Sequence, residues 1–235
     1  MFIDFHSHIL PQIDDGSSSV EESIELLKME AEQGITHVVA TPHFYAHHDS
    51  PEKFLARRAE AKARLDEAME KYPGLPRVSL GAEVYFFRGI SDSDILSELT
   101  IDNKWYILIE MPEAPWTDGM YSELEAIATR RGITPIMAHM DRYIRPLKTY
   151  RIPERFEELP VLVQANASFF LRGGFTTKMA LKLLKEDKIQ LIGSDCHNLS
   201  VRPPRIGSAL EVIEKELGKK YIDRILEYGS SVFDD

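Results

Sequence analysis

Short apolar segments alternate with amphipathic, helix-forming segments along almost the whole chain, and nearly every apolar segment ends in His, Asp or Glu. Strands of a parallel sheet are buried on both faces, so they are continuously apolar, and helices connect one strand to the next. This alternation therefore predicts a parallel sheet covered by helices. The predicted strands are residues 2–8, 36–43, 77–86, 105–112, 134–140, 161–168 and 189–196.

Helical segments connect the predicted strands. The first helix begins at Ser18 or Ser19, because a serine followed three residues later by glutamate is typical of a capping box, and it ends at Gly34. The other helices are predicted at about residues 51–71, 119–131, 176–185, 205–217 and 221–228. Seven strands alternating with helices, with no linker between them, favour a distorted, TIM-like (β/α)7 barrel in a single domain over residues 1–235. Residues 87–104 show no clear period.

Composition narrows the class of protein. The chain has 235 residues, 43% hydrophobic and 28% charged, so it can bury a substantial core. Its net charge of −10 argues against a nucleic-acid-binding protein, because neutralising phosphates requires clustered Lys and Arg. The single cysteine cannot form an internal disulfide, and residues 1–10 resemble neither a signal peptide nor a membrane span. We therefore expect a cytoplasmic protein without membrane insertion.

Potential metal ligands are concentrated at the ends of the predicted strands. The C-terminal ends of all strands lie on one face of a β/α barrel, so residues far apart in sequence are expected to converge there. Residues two apart on a strand point the same way, which pairs His6 with His8 and Asp195 with His197. The candidate ligands are His6, His8, Asp15, His43, Glu83, Glu110, His139, Asp195 and His197.

Each of these residues also has an ordinary interpretation. A single His or Glu at a strand end is more often a solvated or hydrogen-bonded group than a metal ligand. Five His and four carboxylates together favour a metal site, because buried unpaired charges cost several kcal/mol each. Mixed imidazole and carboxylate donors suit Mn²⁺, Fe²⁺ or Zn²⁺. We interpret His37 as structural, and His47 and His48 as loop residues.

The successive motifs resemble those of a known superfamily. They are "DFHSHILPQIDDG", "TPH", "GAE", "LIE", "AHMDRY" and "SDCHNLSVRPP", in order from residue 4 to residue 204. Together they resemble the PHP (polymerase and histidinol phosphatase) superfamily, and within it the bacterial manganese-dependent protein-tyrosine phosphatases encoded with capsule and exopolysaccharide synthesis. The resemblance implies a distorted (β/α)7 barrel with three divalent metal ions, for which Mn²⁺ is expected and Fe²⁺ or Zn²⁺ are alternatives.

The same resemblance divides the nine candidate ligands into three groups and makes Glu83 a bridge between two of them. The groups are His6, His8, Glu83 and Asp195; Glu83, Glu110 and His139; and Asp15, His43 and His197. Asp14 is an alternative to Asp15. Arg142 and Arg202 fall on the positions of the phosphate-binding arginines of that family.

Such a centre has the chemistry that a phosphatase requires. Three divalent ions against four carboxylates leave an excess of about two positive charges within an acidic protein. The ions can polarise a phosphoryl oxygen and hold a metal-bound hydroxide for in-line attack. Arg142 and Arg202 would contact the non-bridging oxygens in the transition state. The expected reaction is hydrolysis of a phosphomonoester without a phosphoenzyme.

Residues 196–202 also fit the C-x5-R pattern of cysteine-dependent phosphatases, in which a thiolate attacks phosphorus. That loop turns successive N–H groups around the phosphate, usually with the help of glycine, and residues 197–201 contain none. Pro203 also pushes Arg202 towards an extended conformation. On a strand, moreover, Cys196 would point away from Asp195 and His197. We therefore interpret the C-x5-R match as coincidental.

The leading functional prediction, implied by the resemblance, is a metal-dependent protein-tyrosine phosphatase. Its expected substrate is a phosphotyrosine protein, the tail of a bacterial tyrosine kinase of capsule or exopolysaccharide synthesis. Alternatives are a histidinol-phosphate or other small-molecule phosphatase of the same superfamily, a phosphodiesterase or nuclease, and a metal-stabilised regulatory protein without activity. Tyr45, Trp116 and Tyr143 are candidates to contact a substrate ring or, equally, to pack at the barrel rim.

Overall fold

Every strand pair is parallel in the part of the chain that the computed structural model describes, residues 1–144 and 158–233. The strands are β1 (Ile3–Ser7), β2 (His37–Ala40), β3 (His43–Phe44), β4 (Arg77–Leu80), β5 (Glu83–Tyr85), β6 (Tyr106–Glu110), β7 (Thr134–Met137), β8 (Leu162–Asn166) and β9 (Leu191–Gly193). The helices are α1 (Val20–Glu32), α2 (Pro51–Met69), α3 (Asp118–Arg131), α4 (Met140–Tyr143), α5 (Ala167–Leu171), α6 (Gly174–Lys185), α7 (Ile206–Leu217) and α8 (Lys219–Ser231). The predicted α/β class is confirmed.

Two of the predicted strands are interrupted. Residues 36–43 form β2 and the start of β3, and residues 77–86 form β4 and β5. Strands β1, β2 and β4 belong to one sheet, whereas β3, β5, β6, β7, β8 and β9 belong to another. The first half of each interrupted strand therefore belongs to the first sheet, and its second half belongs to the second sheet.

Hydrogen bonds join β1 to the chain just after β9. The Asp195 N–H donates to the His6 carbonyl at 2.7 Å, and the His8 N–H donates to the Cys196 carbonyl at 2.9 Å. The Asp4 carboxylate also accepts the Ser194 N–H at 2.8 Å. These contacts bring the first and last strands side by side, so the parallel sheet is curled. The predicted count of seven strands stays a prediction.

The sheet is packed with apolar side chains on both faces. Val38 and Ala40 of β2 belong to a larger cluster of buried apolar residues, whereas Val39 between them belongs to a smaller one. In β6, Ile107 and Leu108 are divided between the same two clusters. Successive side chains of a strand therefore point to opposite faces of the sheet, and each face packs against its own apolar layer. This explains why the strands are continuously apolar.

Local signals in the sequence correspond to the observed helix ends. Ser19 caps α1 by accepting the Glu22 N–H at 3.1 Å, and the Glu22 carboxylate accepts the Ser18 N–H at 2.8 Å. The two bonds of the predicted capping box are thus divided between the two serines. Residues 87–104, which lack a clear period, contain three short 3₁₀ helices, Ile90–Asp92, Asp94–Leu99 and Ile101–Asn103. In residues 1–144 and 158–233, no helix combines the length and apolar character that crossing a membrane requires.

Candidate metal centre

The structure brings all nine predicted ligands together beside the C-terminal ends of the strands. His6 lies in β1, and His8 follows that strand directly. His43 and Glu83 follow the C-terminal ends of β2 and β4 and begin β3 and β5. The remaining positions are Glu110 at the end of β6, Asp15 in the loop before α1, and His139, Asp195 and His197 after β7 and β9. The curled parallel sheet is the reason that these distant residues meet.

Asp195 and His197 do not lie on a strand, so this part of the sequence prediction is wrong. Strand β9 ends at Gly193, and Asp195 has a φ of 53°, in the left-handed region. His139, just after β7, has a φ of 31°. Non-glycine residues rarely adopt such backbone angles, and those that do are concentrated at functional sites. Sharp turns, and not strand alternation, direct these side chains into the cluster.

Glu83 lies at the centre of the cluster. Its Oε2 atom is 3.1 Å from His6 Nε2, 3.2 Å from His8 Nε2 and 3.0 Å from His43 Nδ1. Its Oε1 atom is 2.7 Å from His139 Nε2. Within the described residues, Oε2 is buried and has no hydrogen-bond partner of suitable geometry. Three imidazole nitrogens around an oxygen that lacks a hydrogen bond fit a carboxylate placed to bind a cation.

The other carboxylates extend the cluster in three directions. Asp195 Oδ1 lies 3.6 Å from the Nε2 atoms of both His6 and His8. Asp15 Oδ1 lies 3.5 Å from Nε2 of His43 and 3.5 Å from Nε2 of His197, and Glu110 Oε1 lies 3.4 Å from Nε2 of His139. Among the described residues, donor atoms within 4.8 Å of one another form four groups. Three belong to the cluster, namely His8, Asp15, His43 and His197; His6, His8 and Asp195; and His43, Glu83 and Glu110, whereas the fourth, Asp4, Glu30 and Cys196, lies outside it.

The electrostatics of the cluster favour bound positive charge. Burial lowers the pKa of His8, but its contacts with Asp14 and Glu83 and their negative charges raise that pKa to about 10. At His139, contacts with Glu110 and Glu83 outweigh burial in the same way and raise the pKa to about 9. Burial raises the pKa of Glu83, yet the surrounding imidazoles hold it well below its usual range. Ionised carboxylates that draw protons onto neighbouring imidazoles form a site that a divalent cation can also neutralise.

Asp14 contacts the His8 imidazole and the His43 backbone from outside the cluster. Its Oδ2 atom lies 2.8 Å from His8 Nδ1 and accepts the His43 N–H at 3.0 Å. Its Oδ1 atom accepts the Gly16 N–H, and a Cβ at Gly16 would lie 2.2 Å from the His8 carbonyl oxygen. A carboxylate on Nδ1 leaves Nε2 of His8 free to face the cluster. Asp15 is 68% exposed, and its carboxylate points at His43. The two adjacent aspartates therefore occupy different positions, Asp15 among the donor atoms and Asp14 behind them.

Two amide side chains of β8 contact proposed ligands on the side of the cluster away from Asp14. The candidates identified from the sequence did not include them. Gln164 Oε1 lies 3.3 Å from His6 Nδ1 and accepts the His139 N–H at 2.6 Å. Asn166 donates from Nδ2 to Asp195 Oδ2 at 2.8 Å. The available signal was a pair of alternating amides within an otherwise apolar strand, because both point to the same face.

Arg142 and Arg202 lie at the solvent edge of the cluster. Arg142 Nη2 is 2.5 Å from Asp195 Oδ2, and Arg202 Nη2 is 2.6 Å from Asp195 Oδ1. Their side chains are 30% and 35% exposed, whereas Asp195 is buried. The two guanidinium groups thus face both the cluster and the solvent, which suits contact with an anion arriving from solution.

Cys196 lies behind the cluster. It is fully buried, and its thiol lies close to the buried carboxyl groups of Asp4 and Glu30. Burial, followed by the charges of Asp4 and Glu30, raises the pKa of the thiol well above its usual value. A neutral buried thiol is not a nucleophile. Arg202 contacts Asp195. The C-x5-R pattern is therefore not a thiolate phosphate loop.

Comparison with known proteins identifies the family of the chain. Residues 2–232 match the family described as capsular polysaccharide synthesis, CpsB/CapC. The chain belongs to the CpsB/CapC family. The predicted resemblance to the tyrosine phosphatases of capsule loci is confirmed by relatives that carry that name.

Relatives within the CpsB/CapC family match over nearly the full chain. Tyrosine-protein phosphatase CpsB of Streptococcus pneumoniae is 31% identical over 232 residues, which cover 93% of this chain and 92% of that protein. Tyrosine-protein phosphatase YwqE of Bacillus subtilis (strain 168) is 30% identical over 227 residues, which cover 93% and 86%.

A solved structure of the CpsB/CapC family has the same fold. It belongs to the crystal structures of YwqE from Bacillus subtilis and CpsB from Streptococcus pneumoniae, described as unique metal-dependent tyrosine phosphatases. The superposition has a TM-score of 0.85 at 26% identity, and it covers 96% of this chain and 92% of that chain. The α/β architecture with a curled parallel sheet is therefore that of the CpsB/CapC family.

Proposed function

We propose that the protein is a metal-dependent tyrosine-protein phosphatase of capsular polysaccharide synthesis. The observation that carries this proposal is the convergence of nine His and carboxylate side chains, with buried Glu83 at their centre and two arginines at the solvent edge. Relatives named tyrosine-protein phosphatases match over 92% and 86% of their own lengths. The proposed physiological substrate is the phosphotyrosine-bearing tail of a bacterial tyrosine kinase.

The residues present fit three divalent ions, with Mn²⁺ as the proposed metal. The proposed groups are His6, His8, Glu83 and Asp195; Glu83, Glu110 and His139; and Asp15, His43 and His197. The buried Oε2 atom of Glu83, which has no hydrogen-bond partner within the described residues, supports its role as the bridging ligand. Imidazole and carboxylate donors together suit Mn²⁺, Fe²⁺ or Zn²⁺. When bound, the ions polarise the phosphoryl oxygens and activate the attacking water.

The protein's own groups bind and orient the substrate. Arg142 and Arg202 donate to the non-bridging phosphate oxygens and stabilise the charge that develops in the transition state. Their hydrogen bonds to Asp195 hold both guanidinium groups at the edge where the phosphate enters, so little reorganisation is needed on binding.

The finer description of the fold also belongs to this proposal. The β/α barrel counts seven strands when β2 continues as β3 and β4 continues as β5, and residues 1–235 are proposed to form one domain. Hydrogen bonds between β1 and the residues after β9 support closure of the sheet.

Aryl phosphates are expected to be better substrates than alkyl phosphates. Nine proposed ligands leave no further His or carboxylate at a predicted strand end to protonate a leaving group. A phenol, with a pKa near 10, departs adequately as an anion, whereas a more basic alcohol requires a positioned general acid. For the Mn²⁺-loaded enzyme, kcat/KM for a phosphotyrosine peptide should exceed that for a phosphoserine peptide and for histidinol phosphate by about tenfold or more.

The peptides in this comparison should share one sequence, so that only the phosphorylated side chain differs. Equal rates, or faster hydrolysis of histidinol phosphate, would contradict the tyrosine phosphatase proposal and favour a small-molecule phosphatase.

Changing Asp14 or Asp15 to asparagine is expected to affect metal binding in two different ways. Asp15→Asn should remove one equivalent of bound metal, because its carboxylate lies among the donor atoms. Asp14→Asn should retain the stoichiometry at saturating Mn²⁺ but weaken metal affinity about 10- to 100-fold, because Asp14 orients His8 from behind. Metal titration followed by elemental analysis measures both quantities.

Asp66→Asn is a matched control, since Asp66 is half exposed and pairs with Lys62 on α2. The assignment of the two aspartates is reversed if Asp14→Asn loses an equivalent of metal and Asp15→Asn does not.

A further inference from the structure

We propose that Tyr45 and Tyr85 form the surface that receives the phenyl ring of the substrate, which adds to the preference for aryl phosphates that the leaving group provides. This inference rests on the proposed phosphatase function. It names residues outside the metal cluster that select the substrate.

Strand register places the two tyrosines next to the metal cluster. His43 of β3 is paired with Glu83 of β5, and Phe44 is paired with Val84. Tyr45 and Tyr85 come two residues after His43 and Glu83. Side chains two residues apart on a strand point the same way. Tyr85, the last residue of β5, therefore points to the same side as Glu83, and Tyr45 follows the last residue of β3 beside it.

The ring positions agree with this register. The Tyr45 and Tyr85 ring centroids are 5.6 Å apart at an interplanar angle of 43°, and the Tyr45 and His43 rings are 5.3 Å apart. These separations are in the range of favourable aromatic contacts. Both tyrosines are only partly buried, so part of each side chain is exposed to solvent.

Tyr45 lines a pocket together with two of the nine proposed ligands, Asp15 and His43. This pocket has a volume of about 470 Å³, and its lining includes Asp14, Asp15, His43 and Tyr45. In a phosphotyrosine side chain a single oxygen separates the phosphorus from the ring. A phosphate bound next to Asp15 and His43 therefore places its ring in this pocket, beside Tyr45.

The two other aromatic candidates pack into the protein. Tyr143 is fully buried, and its hydroxyl accepts the Met111 N–H at 2.8 Å. Trp116 donates from Nε1 to the Pro112 carbonyl at 2.9 Å, and its ring meets the Tyr143 ring edge-on at 5.0 Å. Of the three aromatic residues suggested by the sequence, Tyr45 is the one that lines the pocket beside the cluster.

An aromatic wall discriminates between substrates in a specific way. A phenyl ring gains an aromatic contact and buries apolar surface against Tyr45, whereas a glycerol or serine phosphate has no ring to place there. Removing the wall should therefore reduce hydrolysis of aryl phosphates and leave hydrolysis of alkyl phosphates almost unchanged. Removing only the hydroxyl should leave hydrolysis of both kinds of substrate almost unchanged.

The test compares Tyr45→Ala, Tyr45→Phe and Tyr85→Ala with the wild type as Mn²⁺-loaded enzymes. The substrates are a phosphotyrosine peptide and glycerol phosphate. Tyr45→Ala should lower kcat/KM for the peptide about tenfold while changing that for glycerol phosphate less than about twofold. Tyr85→Ala should show the same selective loss, and Tyr45→Phe should stay within about twofold for both substrates. Tyr72→Ala is the matched control, because Tyr72 is 40% exposed and its ring packs under Lys28.

Several outcomes overturn the inference. Equal losses of kcat/KM on both substrates would show that Tyr45 supports the metal centre and does not select the substrate. The metal content of the Tyr45→Ala variant would then show whether the loss comes from loss of bound metal. A loss in Tyr45→Phe as large as in Tyr45→Ala would assign the effect to the hydroxyl. An active wild type with an unaffected Tyr45→Ala variant would overturn this inference and leave the proposed function intact. A wild type that fails to hydrolyse phosphotyrosine would overturn both.

Discussion

Removal of divalent metal ions is expected to abolish phosphotyrosine hydrolysis, whereas Cys196→Ser is expected to retain most of it. The ions contribute several kcal/mol of transition-state stabilisation, so chelation should lower the rate by about 10³-fold or more, and added Mn²⁺ should restore it. Cys196 is fully buried behind the cluster, and its thiol has a raised pKa because of burial. The measurement is the initial rate before chelation, after chelation and after each metal is added back.

The serine variant separates the two types of phosphatase chemistry. It preserves the size of the side chain closely and removes any thiolate. An inactive Cys196→Ser enzyme with a full metal complement would exclude hydrolysis at the metal centre. Activity that survives complete removal of metal would exclude it as well.

Replacing either Arg142 or Arg202 by alanine is expected to lower kcat/KM about 10²- to 10³-fold without changing metal content. The magnitude is that of removing one preorganised contact to transition-state charge. Metal content should persist because a guanidinium group has no lone pair to offer a metal, and all nine proposed ligands remain in place. Steady-state kinetics and elemental analysis of the same preparations measure the two effects.

Lysine variants and a distant arginine complete this experiment. Arg142→Lys and Arg202→Lys keep the charge but lose the planar fork, so their activities should fall between those of the wild type and the alanine variants. Arg130→Ala is the control, since Arg130 is largely exposed and lies 3.6 Å from Asp92. Loss of metal in either alanine variant would show that the arginines hold the centre together. Unchanged kinetics would remove them from the active site.

The α/β class and the cluster could both be predicted because strand ends carry a strong signal. His6, Glu83 and Glu110 stand out as charged or imidazole groups at the limits of apolar segments, and the topology brings such limits together. The choice between Asp14 and Asp15 could not be predicted, because periodicity does not orient adjacent residues in a loop. Their separation depends on the turn at Gly16.

Backbone turns account for most of what sequence reasoning missed. The positive φ angles of His139 and Asp195 depend on the packing around these residues. The sequence does not predict such angles there, because neither residue is glycine. The interruptions between β2 and β3 and between β4 and β5 follow from the change of sheet, which is a property of the whole fold. Gln164 was missed because an amide in an apolar strand is not a typical metal ligand.

The junction between β1 and the residues after β9 has a consequence for how the protein is made. Asp4 and Ser194 are in contact across a sequence separation of 190 residues, so this closure carries a large loop entropy and should form late. A nascent chain that still lacks its last strand holds His6 and His8 but not Asp195 or His197. If the proposed ligands bind metal, we therefore expect full loading only once the residues after β9 have joined β1, and bound ions would then stabilise the folded state against unfolding.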